Sequence, residues 1–376
     1  MNQTNAIRCN MKHISIFVYD LDIGGTEKVM VNLANFLSRN NCVVTFVLVG
    51  SNTFLKKELF SGVSVVAFKK QRIPSCFVDL VKYIRSNRID CFISNIWPLT
   101  IFTILAGLFK RDFLSKVFLI EHCHLGRQFS SYSKIFKLFQ NISIFFLYRF
   151  SKKVIAVSHG VKDDLCINKG VNENKLTVLH NPVDISFSNR NYSQNIIKVW
   201  KSFSKAKFIS VGTLNAQKNY SYLLDALYLL KLQGFEFKHL ILGEGPTREA
   251  LTNKILRLGL QENVYLAGSV DQPINLIKKA DTFILSSKFE GFGLVIVEAL
   301  AAGTTIVSTD CESGPAEILL DGKYGYLAPI DSPNEFAETI LYGYSHKIDS
   351  GKLIDRAKEY TIEIVGPKYL ELISKI

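Results

Sequence analysis

The chain has 376 residues, of which 48% are hydrophobic and 21% charged, and a formal net charge of +12. This length and apolar content suit two α/β domains with buried cores and exclude a disordered chain. The basic excess calls for an acidic partner (nucleic acid, an anionic membrane surface or a phosphate-bearing substrate) without choosing among them.

The amino terminus, MNQTNAIRCNMK, lacks the apolar core of a signal peptide, and Met11 offers a second start. His13 to Tyr19 predicts a first strand. The loop Asp20-Leu21-Asp22-Ile23-Gly24-Gly25-Thr26 follows, then an amphipathic helix over 27–39 with Thr26 as its N-cap. Cys42 to Val49 and Val63 to Phe68 read as strands, Phe77 to Ser86 as a helix, and Ile89 to Asn95 as a strand. Val117 to Glu121 is a strand leading into Glu121-His122-Cys123-His124. Strands alternating with helices predict a parallel, doubly wound sheet.

The segment Ser133 to Phe150 is dense in aromatics and, with its flanks, in Lys and Arg. Two readings stand: a buried helix pair with solvated lysines, or a patch for anionic lipid headgroups with aromatics at the interface. Leu99 to Phe109 is very apolar, yet no apolar run reaches the roughly 18–20 residues of a membrane span. Lys153 to Ser158 and Lys175 to Leu179 are further strands, and His180-Asn181-Pro182-Val183-Asp184 ends the first half. Ser186 to Asn195 reads as a linker.

A second α/β half begins near Ile196. Its strands are expected at 207–211, 239–243, 264–267, 282–286 and 305–308, with helices such as 220–233 and 247–258. We expect residues 1–190 and 191–360 to form two Rossmann-like domains with a cleft between them, and 361–376 to form a helix packing back on the first. The seven cysteines are scattered without a C-x-x-C pair and read as free thiols in a reducing compartment.

The most informative stretch is Ser286 to Gly303. A strand delivers the chain through the glycine-rich loop Gly291-Phe292-Gly293 into a helix beginning at Leu294. A helix start of this kind favours an anion. Glu290 precedes the helix and Glu298 rides on it. Two acids and a phosphate-friendly helix start suit a sugar nucleotide, although an ordinary βαβ unit with surface glutamates has the same local pattern.

Further motifs stand around it in order. They are Gly212-Thr213-Leu214-Asn215-Ala216-Gln217-Lys218-Asn219, Gly243-Glu244-Gly245-Pro246, Gly314-Pro315-Ala316-Glu317-Ile318 and Gly322-Lys323-Tyr324-Gly325. With Gly24-Gly25-Thr26-Glu27 and His180-Asn181-Pro182-Val183-Asp184, this set resembles the family 4 retaining glycosyltransferases of the GT-B fold, and bacterial N-acetylhexosamine transferases among them. The resemblance covers nearly the whole chain. It implies transfer of a hexose or N-acetylhexosamine from a nucleotide sugar, UDP-linked by expectation; the basic aromatic segment adds the expectation that the acceptor is a lipid-linked polyprenyl-diphosphate glycan. Such a reaction belongs to surface-polysaccharide assembly of the O-antigen or capsule type.

The resemblance assigns catalytic roles to His122 (with His124 as alternate), Glu290 and Lys218. It assigns donor binding to Gly24, Gly25, Gly212, Thr213, Lys218, Gly243, Glu290, Gly291, Phe292, Gly293, Leu294 and Glu298. Glu298 would take the ribose hydroxyls, and the Gly293 and Leu294 N–H groups the diphosphate. Thr213 stands where the family usually carries arginine, so Lys218 and the helix start would bear more of the charge. Neither a metal site nor a cofactor is expected. The implied place is the inner face of the cytoplasmic membrane, peripherally bound. A sugar-nucleotide epimerase shares the fold but would need extra catalytic acids. A nucleic-acid binder rests on charge alone, without a binding motif.

Overall fold

The computed structural model describes residues 11–22, 24–186 and 205–375, for Arg111 the backbone alone. The expected linker beyond Ser186, the start of the second half near Ile196, and Met1–Asn10 lie outside the described residues. The chain divides into two compact units, Met1–Val183 with Thr361–Ile376, and Asp184–Tyr360.

The first unit is built on seven parallel strands: β1 (Lys12–Val18), β2 (Cys42–Leu48), β3 (Val63–Ala67), β4 (Cys91–Asn95), β5 (Val117–Glu121), β6 (Lys153–Ala156) and β7 (Leu176–Val178). Their order is β3-β2-β1-β4-β5-β6-β7. Helices cover both faces of such a sheet, which explains runs such as Phe92-Ile93 and Phe118-Leu119-Ile120 that are buried without alternation. The C-terminal helix Ile362–Ser374 completes this unit. Gly366 leaves no room for a Cβ against the Phe36 ring, Tyr369 is fully buried, and Lys12 Nζ donates to Ile373 O at 3.0 Å.

The first helix departs from expectation. It spans Gly25–Arg39 with Gly24 as N-cap, so Thr26 lies inside the first turn. The physical reason is Glu27. Its carboxylate folds over Gly24, filling the space a Cβ would take, and accepts from its own N–H. An acid three residues after the cap thereby does the work expected of a hydroxyl.

The aromatic segment also settles differently from a buried helix pair. It is one helix, Lys134–Leu147, capped by Ser133, whose Oγ accepts from Phe136 N–H at 3.3 Å. Its apolar side faces outward: Ile135 is 81% exposed, Phe139 61% and Phe146 51%. Ile144 is buried on the inward side, and two polar residues face inward with it. Ser143 Oγ accepts from Trp97 Nε1–H at 3.3 Å, and Gln140 Oε1 accepts from the buried Lys169 ammonium at 3.1 Å. Among the described residues, no helix is long and apolar enough to cross a membrane.

The second unit carries six parallel strands: β8 (Ala206–Val211), β9 (Phe237–Leu242), β10 (Val264–Gly268), β11 (Thr282–Leu285), β12 (Thr305–Thr309) and β13 (Tyr326–Ala328). Their order is β10-β9-β8-β11-β12-β13. Phe208, Phe237, Leu227, Ile241 and Phe336 lie in its core. Phe336 comes from the helix Pro333–Ser345 and stacks on Tyr222 with 5.3 Å between centroids. The strand order reverses direction beside β8, and in such sheets ligand-binding loops gather at the carboxyl ends of the strands flanking that point.

A buried polar knot closes the end of β5. Glu121 is fully buried and receives the Tyr148 hydroxyl, the Thr100 hydroxyl at 3.4 Å and the Trp97 N–H at 3.3 Å. Burial pushes its carboxyl up from 4.5 to about 7. The folded chain therefore holds a proton that the unfolded chain releases. That stabilisation is fully present below pH 4.5 and is lost as pH rises to about 7. Glu121→Gln is expected to abolish this part of the pH dependence, about 3 kcal/mol in all. Urea unfolding of both proteins across that window measures the difference, and parallel curves would refute it.

Candidate functional site

In the second unit, four loops leave the carboxyl ends of β8, β9, β11 and β12 and are tied to one another by hydrogen bonds. Leu214 N–H donates to Glu244 O at 2.9 Å and Lys288 N–H to Gln217 O at 2.8 Å. Gln217 Nε2–H reaches Phe289 O at 3.0 Å, and Ser286 Oγ–H reaches Lys218 O at 2.7 Å. Glu290 N–H donates to Glu312 O at 3.2 Å. Two glycines make the approaches possible. A Cβ on Gly243 would run into the Gly212 carbonyl oxygen, and one on Gly314 into that of Phe292.

This knit brings Lys218 and Glu290, 72 residues apart, into an ion pair of 2.6 Å. Both side chains are largely withdrawn from water, at 15% and 7% exposure. Ser287 Oγ–H adds a 2.6 Å hydrogen bond to the same Glu290 oxygen. Lys218 is steadied by its own backbone, whose N–H donates to Asn215 Oδ1 at 3.0 Å. Cys311 lies close by, its thiol pushed up to about 12 by burial first and then by the Glu290 charge. A lysine and a glutamate placed this way can bind a ligand that carries both an anionic group and hydroxyls, because each then finds a new partner as the pair opens.

Gly293 caps the helix Leu294–Ala301 at φ +101, a backbone conformation that favours glycine. The Phe292 ring is buried against Tyr360 at 5.4 Å, so this residue can offer a ligand only its backbone. Leu294 and Glu298 lie half-buried on that helix, and Thr213 is exposed in the β8 loop. Arg248 was not anticipated. Its guanidinium lies over the β9 loop, bonded to Glu244 Oε1 at 2.7 Å and Leu266 O at 3.0 Å. It adds a cation at the rim of a loop set in which Thr213 supplies none. Ser287 was also missed, although Ser-x-x-Glu spacing is a known pairing signal.

The first unit holds a second group. His122 is 6% exposed, and its Nε2 lies 3.1 Å from Asn95 Oδ1. Burial lowers its basicity to about 3, with Asn181 acting in the opposite sense. The imidazole is therefore neutral at physiological pH. His124 does a structural job: its Nδ1 caps the helix Leu125–Gln128 and lies 3.5 Å from Asp164. Around Gly24 and Gly25 the charge is negative. Burial raises both Asp20 and Glu27, and Asp22 adds repulsion to each. Such a ring of carboxylates suits hydroxyl donors better than a second anion.

Two family models match the chain. Glycosyltransferase Family 4 covers residues 23–187, and Glycosyl transferases group 1 covers residues 193–360. The chain is 29% identical to the N-acetylgalactosamine-N,N'-diacetylbacillosaminyl-diphospho-undecaprenol 4-alpha-N-acetylgalactosaminyltransferase of Campylobacter jejuni, over 91% of this chain and 92% of that one. It is 32% identical to the lipopolysaccharide 1,6-galactosyltransferase of Escherichia coli K12, over 46% and 47%. Among solved structures, the Anabaena protein HepE in complex with UDP-glucose superposes with a TM-score of 0.79 at 20% identity, over 97% of this chain and all of that one. Such neighbours share the GT-B fold, with its two Rossmann-like halves. A family 4 half followed by a group 1 half, over nearly the whole length, places this chain among the GT-B glycosyltransferases.

Proposed function

We propose that this glycosyltransferase moves a hexose or N-acetylhexosamine from a UDP-sugar to a lipid-linked polyprenyl-diphosphate glycan, with retention of configuration and without a metal ion. The observation that carries the reading is the Lys218–Glu290 pair among the β8 and β11 loops, beside a helix start at Gly293. The diphosphate draws the Lys218 ammonium and the first N–H groups of the helix. Glu290, released from its partner, accepts from a hydroxyl of the sugar, and Glu298 holds the ribose. The bond from the anomeric carbon to the phosphate oxygen breaks while the acceptor oxygen bonds to that carbon on the same face. The acceptor proton passes to the departing phosphate. Charge developing on that leaving group is what Lys218 and the helix stabilise. His122 and the acid-ringed Gly24–Gly25 loop serve sugar hydroxyls. The Campylobacter relative acts, by its name, on a diphospho-undecaprenol substrate, which supports the acceptor class and a role in O-antigen or capsule-type synthesis.

The outward aromatic face of Lys134–Leu147 supports a peripheral seat on the inner, anionic face of the cytoplasmic membrane. The basic residues Lys134, Lys137, Arg149, Lys152 and Lys153 lie within this helix or shortly after it in the sequence. Sedimentation with anionic vesicles at low salt tests this. Phe139→Glu with Phe146→Glu is expected to abolish binding without lowering Tm, and vesicle binding that persists in the double variant would contradict the assignment.

Release of UDP that requires both a UDP-sugar and a lipid-linked acceptor tests the reaction itself. Glu298→Ala should weaken UDP binding about tenfold, the loss of a hydrogen bond to a charged group. Lys218→Ala should lower kcat about a hundredfold or more while changing the donor Kd less. Unchanged constants in both variants would sink the site.

A further inference from the structure

His122 has two ring nitrogens in different surroundings. Nε2 faces Asn95 Oδ1 at 3.1 Å. The orientation of the Asn95 amide is set from the other side, where its Nδ2–H donates to Phe17 O at 3.3 Å. The atom toward His122 is therefore an oxygen, which only accepts, so Nε2 must carry the hydrogen. Nδ1 is buried; the Asn181 side chain lies near enough to the ring to oppose the effect of burial, but neither Nδ1 nor Asn181 Oδ1 makes a hydrogen bond of normal length and angle among the described residues, whereas Nε2 does, to Asn95. Asn95 and Asn181 are themselves 2% and 3% exposed. A second proton on Nδ1 would charge the ring in a place where burial opposes charge. Nδ1 is thus left as a lone pair.

We propose that Asn95 is a positioning residue that holds His122 in the neutral Nε2–H tautomer, so that Nδ1 accepts a hydrogen bond from a hydroxyl of the sugar substrate. The proposal rests on the sugar-transfer reading above and specifies how His122 takes part in it: as an acceptor, not as a cation for the diphosphate. Asn181, brought alongside by the segment after β7, offers a second acceptor to the same hydroxyl-bearing ligand.

Nitrogen-15 NMR of histidine-labelled protein reads the tautomer without recourse to activity. In the wild type, His122 is expected to show one protonated and one lone-pair nitrogen, with Nε2 protonated, from neutral pH down to the acid limit of the fold. In Asn95→Ala the fixed assignment should be lost, and kcat/KM should fall about tenfold, the worth of one hydrogen bond. In Asn95→Asp the acceptor oxygen is kept. The Nε2–H tautomer should persist, and kcat/KM should recover to more than half the wild-type value. Both variants lose the bond to Phe17 O, so a merely structural role for Asn95 would reduce Tm and activity equally in the two. Three outcomes overturn the proposal: equal losses in the two variants, an Nδ1–H tautomer in the wild type, or an Nδ1 resonance that a bound UDP-sugar leaves unmoved although binding is saturated. If the wild type shows the Nε2–H tautomer but binds no UDP-sugar, the transfer reading fails while the role of Asn95 in setting the tautomer stands.

Discussion

The ammonium of Lys218 rests 2.6 Å from the Glu290 carboxylate with both side chains mostly out of water, and the geometry of the second unit's loops follows from holding that pair. A desolvated pair gains little over an apolar one, but loss of either partner strands a charge. The surrounding features reduce that risk. Ser287 gives Glu290 a further donor, Asn215 fixes the Lys218 backbone, and Gly243 and Gly314 let neighbouring loops close up without a Cβ in the way. In the reaction proposed above, such a pair is poised for exchange: an incoming diphosphate would compete for the lysine, a sugar hydroxyl for the glutamate, and neither charge would stand alone. In this account, donor binding replaces one satisfied arrangement with another.

The helix Lys134–Leu147 shows the same logic with the opposite sign. A soluble helix turns its apolar stripe to the core. This one turns Gln140 and Ser143 inward, to Lys169 and Trp97, and leaves Ile135, Phe139 and Phe146 in water. These polar bonds, with buried Ile144 and the Phe136–Trp97 contact, fix the helix and leave most of its apolar side outward.

The parallel strands were largely readable from the chain, because strands buried on both faces appear as unbroken apolar runs; Val117–Glu121 is one such case. The helix at Leu294 and its closing Gly303 were equally plain. Other features needed the third dimension. Thr26 looked like the cap, but the carboxylate of Glu27 folds over Gly24 and moves the helix start. β13 is three residues long, too short for a periodic signal. The choice between a buried and an outward aromatic helix depended on whether Gln140 and Ser143 found partners inside, and composition cannot say that. At the site, Glu290 and Glu298 stood out from the local strand–loop–helix pattern and Lys218 by resemblance. That Lys218 pairs with Glu290 across 72 residues, or that Asn95 meets His122 across 27, is a property of the sheet order.

The central claim is that this constellation transfers a sugar by itself, on one face of the ring. Its most direct measurement is the anomeric configuration of the product, read by NMR after turnover of a UDP-N-acetylhexosamine with a lipid-linked acceptor in the presence of a chelator. The account predicts a glycoside with the same anomeric configuration as the donor, formed at an undiminished rate. An inverted product, or turnover that stops with the chelator and returns with a divalent cation, would contradict it.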